Sequence, residues 1–188
     1  MMTREEAEKE LIAMLEEAED GPPYSMEEVD AYMRELLHPK NQIYLTGDTH
    51  GRFERIISFC ERQQVQPESS FIILGDVGLN YYGDRRDRRG KDALAQIPIT
   101  FFCIHGNHEM RPSEELGYQV KEYHGGKVWV QPEYPNLVFA IDGEIYDFFG
   151  HSCIVIGGAY SVDKYYRLAR DYNWFEDEQP AQAINISP

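Results

Sequence analysis

Apolar positions follow two different rhythms along this chain. In residues 1–40 they recur three and four apart. Ala7, Leu11, Met14, Leu15 and Ala18 share one helical face, and Val29, Met33, Leu36 and Leu37 form a second stripe. Thr3-Arg4-Glu5-Glu6 and Ser25-Met26-Glu27-Glu28 read as capping boxes that start the two helices. Gly21-Pro22-Pro23 and Pro39 end them. The expected unit is a helical hairpin with one apolar side. That side either packs on its own domain or serves a protein partner or self-association.

From residue 41 the rhythm changes to short unbroken apolar runs. Ile43-Tyr44-Leu45, Phe71-Ile72-Ile73-Leu74 and Ile99-Thr100-Phe101-Phe102-Cys103-Ile104 read as buried strands. A helix carrying Phe53, Ile56, Ile57 and Cys60 separates the first two, and a charged segment around 84–96 separates the last two. Strand, helix, strand, helix, strand predicts parallel neighbours in a sheet buried on both faces. After Pro112, Gly125-Gly126 and Asp142-Gly143 read as hairpin signals between residues 127–131, 137–141, 144–149 and 153–156. A second, partly antiparallel sheet is expected there, followed by a short helix at 162–170.

Charge sharpens the division. The chain carries a net −15, of which residues 1–40 hold −8. The expected domains are an acidic helical appendage at 1–40 and an α/β domain at 41–188. Such an acidic balance weighs against nucleic acid as a partner, because phosphate backbones are held by Lys and Arg. No apolar run approaches the roughly 20 residues of a membrane span, and the charged start shows no secretory signal. A cytoplasmic location without membrane partners is the expectation. Cys60, Cys103 and Cys153 lie far apart without a CxxC pair, which predicts three small buried hydrophobes in a reducing compartment.

Three strand ends each deliver a glycine followed by a ligand-type residue: Gly47-Asp48-Thr49-His50-Gly51, Gly75-Asp76-Val77-Gly78 and Gly106-Asn107-His108-Glu109. Asp48 and Asp76 are 28 residues apart and Asp76 and Asn107 are 31 apart, one βα unit per step. This places all three at the carboxyl ends of adjacent strands, where open α/β sheets bind ligands. Taken singly, Asp48 and Asp76 also suit helix N-caps, Asn107 a left-handed turn, and His50 a loop. Taken together, carboxylate, imidazole and amide oxygen suit Mn, Fe or Zn. Two such ions about 4 Å apart can share one carboxylate, clamp a phosphate and activate a water.

In order and spacing these motifs resemble the calcineurin-like metallophosphoesterase family. The resemblance is firm over 41–111 and continues to about 178. It implies two sheets sandwiched between helices and metal-dependent phosphoester hydrolysis of a phosphorylated substrate. It further implies that Asp48, His50, Asp76 and Asn107 ligate metal, with Asp76 bridging, and that His108 acts on the leaving group or the phosphate.

Two departures qualify the resemblance. The family completes its site with later histidines, whereas here only His124 and His151 follow residue 108, and both read as turn residues. The chain therefore reads as stopping short of the second half of the site, with one sheet short and an edge strand exposed. One weakly held metal, and slow or absent hydrolysis, is the expectation. The alternative is a catalytically degenerate binding or regulatory module. The second motif also lacks the Asp-Arg pair of protein Ser/Thr phosphatases, which favours a bacterial-type esterase. For substrate contacts, Arg85, within the basic run Arg85–Lys91, and Arg111, three residues after His108, are the candidate phosphate-holding side chains. Tyr81-Tyr82 could stack on a base or an aromatic leaving group.

Overall fold

The computed structural model describes residues 9, 12, 13, 25–37 and 41–180. The chain divides into two compact units, Met1–Lys40 and Asn41–Pro188. In the first unit, helix α1 spans Met26–Leu37. Ser25 Oγ accepts from the Glu28 amide at 3.2 Å, and the Glu28 carboxylate accepts from the Ser25 amide at 2.7 Å. The capping box thus closes on both sides. Val29 and Met33 are half-buried, while Glu27, Glu28 and Asp30 are exposed. The stripe expected for the first helix lies outside the described residues, of which Lys9, Ile12 and Ala13 are helical.

The second unit is built on a six-stranded sheet. Strands β1 (Ile43–Gly47), β2 (Ser70–Leu74) and β3 (Thr100–Ile104) run parallel. Helices α2 (Glu54–Gln63) and α3 (Arg85–Ala95) make the crossovers. Strand β6 (Leu137–Ala140) adds parallel to β3. Then β5 (Gly126–Val130) and β4 (Gln119–Tyr123) add antiparallel, giving the order β1-β2-β3-β6-β5-β4. A separate two-stranded sheet pairs β7 (Ile145–Phe148) with β8 (His151–Ile154). Helix α4 (Lys164–Ala169) follows.

After the opening Ser70 and Thr100, the central strands β2 and β3 are apolar because both faces are covered. Phe71, Ile73, Phe101, Cys103 and Phe139 point into one cluster, with Phe53 and Ile56 of the α2 region and Leu94 of α3. Ile72, Phe102 and Val138 point the other way, into a cluster with Tyr146 and Phe148 of β7. Layers of helix, large sheet and small sheet result.

Several expectations need correction. Residues 127–131 and 137–141 do not found a second sheet; they extend the first, because β6 pairs with β3. Asp142-Gly143 is not a hairpin: the chain crosses there from β6 in the large sheet to β7 in the small one. The second tight hairpin instead turns at Phe149-Gly150, between the paired Phe148 and His151. Strand β1 is an edge strand, with Leu45 63% exposed, so it is not fully buried. Cys60 and Cys103 are buried, but Cys153 is exposed on β8. Every residue of β8 is exposed. No helix among the described residues is long and apolar enough to cross a membrane.

Candidate metal and catalytic site

The parallel ladder continues past the strand ends into the three motif loops. The Gly75 amide donates to the Ile104 carbonyl, and the Asp48 amide to the Gly75 carbonyl, each at 3.1 Å. The His50 and Gly51 amides then reach the Asp76 and Val77 carbonyls at 2.8 and 2.9 Å. Thr49 Oγ1 donates to the Val77 carbonyl at 2.8 Å. These bonds hold Asp48, His50 and Asp76 in left-handed backbone, with φ of 55°, 46° and 46°, a conformation that is costly for non-glycine residues. None caps a helix: Phe53 precedes α2 and Asp84 caps α3. A Cβ on Gly106 would run into the Asp76 amide and carboxylate, and one on Gly78 into the His50–Gly51 backbone. Both glycines are required by close approach.

The side chains converge. One ligating atom from each of His50, Asp76 and His108 lies within 4.8 Å of the others. His50 Nε2 stands 2.8 Å from Asp48 Oδ1 and 3.9 Å from Asp76 Oδ2. Asp76 Oδ1 accepts from the His108 amide at 2.9 Å. Asn107 Nδ2 donates to Ser161 Oγ at 2.6 Å, which leaves its Oδ1 as the atom available for a ligand. Two cavities are lined by these residues. One, of about 370 Å³, is lined by Asp48, Asp76, Asn107 and the segment 156–159. The other, of about 450 Å³, is lined by His50, His108, Tyr81, Tyr82, Arg86 and Arg89.

The structure therefore brings Asp48, His50, Asp76, Asn107 and His108 to one end of the sheet. It places His108 within the His50–Asp76 group, where sequence reasoning kept it apart from the ligands. The two arginines singled out from sequence line neither of these cavities. Arg111 pairs with Asp142 at 2.9 Å and donates to the carbonyls of Gly157, Asp177 and Gln179. It is a strut beneath the loop that follows β8, because its donors are already engaged. Arg85 lines a third cavity with Arg88 and Lys91, which none of the converging residues lines. His124 sits in the β4–β5 turn, with Nδ1 2.6 Å from the Asp147 carbonyl oxygen, and His151 is exposed on β8.

Three supporting residues had no reading from sequence. Glu109 is completely buried and accepts from the amides of Val77, Gly78 and Gly106 at 3.0–3.1 Å. It ties the second motif loop to the third. Burial pushes its carboxyl up to about 7 against the pull of those three donors. The residue stands inside Gly106-Asn107-His108-Glu109, so the motif itself was the available signal. Ser161 and Glu178 had no such signal. Ser161, 3% exposed, holds Asn107, and its amide donates to Glu178 Oε1 at 3.1 Å.

The donor set fits a divalent cation. Imidazole and carboxylate converge at ligand spacing, and the carboxylate of Asp48 and the amide oxygen of Asn107 stand alongside. Among families of proteins, residues 42–187 match the calcineurin-like phosphoesterases, which are metal-dependent. No solved structure gives a significant match. With the three strand-end motifs in place and a match over most of its length, the chain belongs to the calcineurin-like phosphoesterase family.

Proposed function

We propose that this chain hydrolyses phosphoesters at the Asp76 centre. The observation that carries the reading is the meeting of His50, Asp76 and His108 ligand atoms within 4.8 Å at the carboxyl ends of parallel strands. His50 and Asp76 would hold a divalent metal, with Asp48 and Asn107 as the neighbouring oxygen donors. An ion bound there lowers the pKa of a water and offsets charge on phosphoryl oxygens.

The chain's own residues supply the rest. Asp48 orients the His50 ring through the 2.8 Å contact. The His108 amide fixes Asp76 Oδ1, so the carboxylate cannot swing away. Ser161 fixes the face that Asn107 presents. His108 lines the cavity that it shares with His50, Tyr81 and Tyr82. From there its ring gives a proton to the leaving-group oxygen, which a departing alkoxide needs.

The test is turnover of p-nitrophenyl phosphate and bis-p-nitrophenyl phosphate by the full chain with added Mn, beside Asp76→Asn. Hydrolysis that disappears in Asp76→Asn is the expected result. Equal turnover in the two proteins, or none in the wild type across Mn, Fe and Zn, contradicts the reading.

A further inference from the structure

We propose that the cavity of about 450 Å³ beside His108 is a leaving-group pocket in which Arg89 selects phosphoesters whose leaving group carries a second negative charge. The proposal rests on the phosphoesterase reading for the phosphoryl end of the substrate and adds what lies at the other end.

The charges along this wall are not equivalent. Arg86 is neutralised: it pairs with Asp84 at 2.8 Å, and its guanidinium lies 3.7 Å from the centre of the Tyr82 ring. Asp87 also lines the cavity, but its carboxylate accepts from the Tyr82 and Gly83 amides at 2.7–3.1 Å. Arg89 has no hydrogen bond and no ion pair among the described residues. It is exposed, and it shares the cavity with both site histidines. An unpaired guanidinium facing a phosphoryl-transfer site is a ready partner for a carboxylate or a phosphate, which it can hold through two parallel N–H bonds.

The position of Arg89 follows from packing. A Cβ on Gly90 would meet Phe53 and Leu79, so the bare glycine lets α3 lie close against the core. That approach sets residue 89 on the cavity wall. Tyr81 and Tyr82 meet edge to face at 4.8 Å, and Tyr81 meets Phe175 at 5.7 Å. The phenols line the same cavity as the histidines and the arginine. A volume of about 450 Å³ suits a small-molecule leaving group. The third cavity offers no comparable preference, because Arg85, Arg88 and Lys91 there face Asp84, Asp87, Glu115 and Glu133.

The test uses two isosteric, hydrolysis-inert probes on the full chain with Mn: 4-carboxyphenylphosphonate and 4-nitrophenylphosphonate. They differ in a carboxylate against an uncharged nitro group. Calorimetry of the wild type should show the carboxylate probe binding on the order of 10- to 100-fold tighter. Arg89→Gln should erase that preference and Arg89→Lys should keep part of it. Arg89 holds no partner, so its loss leaves no buried group unpaired. A preference absent from the wild type, or equal in wild type and Arg89→Gln, overturns the proposal. Turnover of p-nitrophenyl phosphate, measured separately, judges the phosphoesterase reading. A preference that depends on Arg89 in a chain without turnover would sink that reading and leave the pocket standing.

Discussion

Left-handed backbone serves two different purposes in the two halves of the large domain. In the antiparallel half, His124-Gly125 and Phe149-Gly150 have φ of 50°, 87°, 55° and 87°. Each pair turns a two-residue hairpin, in which two positive φ values match the twist of the flanking strands. A Cβ at Gly125 or Gly150 would touch nothing within 4 Å. There the conformation is a requirement of the turn alone. In the parallel half, Asp48, His50 and Asp76 take the same conformation with no hairpin to make. It turns their side chains into a shared site, and neighbouring backbone leaves no room for a side chain at Gly78 or Gly106. Strain at a hairpin can be relieved without consequence for chemistry, whereas strain at the strand ends is part of the site.

The largest effect that would break this comparison is at His108. His108→Ala should lower kcat by about 10² to 10⁴, the usual contribution of a positioned general acid, while the Mn content stays near the wild-type level. Loss of the metal in this variant would move His108 from proton donor to ligand.

Next comes Glu109, which holds the strand-end loops together. Glu109→Ala leaves the buried amides of Val77 and Gly106, and the part-buried amide of Gly78, without acceptors. At about 1–3 kcal/mol for each buried unsatisfied donor, the domain should lose at least about 2 kcal/mol in denaturant unfolding. A loss under about 1 kcal/mol would show that the loops stand without this clamp.

Lys91 gives an effect that depends on pH, on the side of α3 away from the site. It is 6% exposed and donates to Asn80 Oδ1, Tyr118 Oη and Gln131 Oε1. Burial lowers its ammonium to about 8. Between pH 8 and the ordinary lysine value near 10.4, the unfolded chain binds more protons than the folded one. The contribution of Lys91 to stability therefore rises with pH across that window, by up to about 3 kcal/mol. Unfolding free energies at pH 7.5 and pH 10 should diverge in the wild type. The difference between the two pH values should shrink in Lys91→Met.

The smallest expected effect is at the second hairpin. Phe149→Asn replaces a strained aromatic by a residue that tolerates left-handed backbone. It should raise stability by up to about 1 kcal/mol and leave turnover unchanged. A drop in turnover would show that the hairpin and the site are coupled.

These contrasts also explain what was legible in the sequence. The motif residues could be found because each glycine and ligand are adjacent in sequence and recur at one βα unit. Gly125 announced its hairpin for the same local reason. The misplaced strands and arginines depend on distant approach. Nothing near residue 137 announces that β6 will lie beside β3. Arg111 resembles a phosphate contact until Asp142 and the carbonyls of residues 157–179 close around it. Ser161 meets Asn107 across 54 residues, with no local pattern to mark it. Phe149-Gly150 was missed because a phenylalanine is an unusual choice for a left-handed turn position.

The most direct test of the account is a Mn titration of the purified full chain followed by calorimetry, with Asp76→Asn and Phe149→Asn alongside. The account predicts that wild type and Phe149→Asn bind the ion alike, because the hairpin lies outside the site. It predicts that Asp76→Asn loses binding, because His50, Asp48 and Asn107 then lack the carboxylate between them. Undiminished Mn binding by Asp76→Asn would contradict the claim that the strand-end carboxylate is the centre of the site.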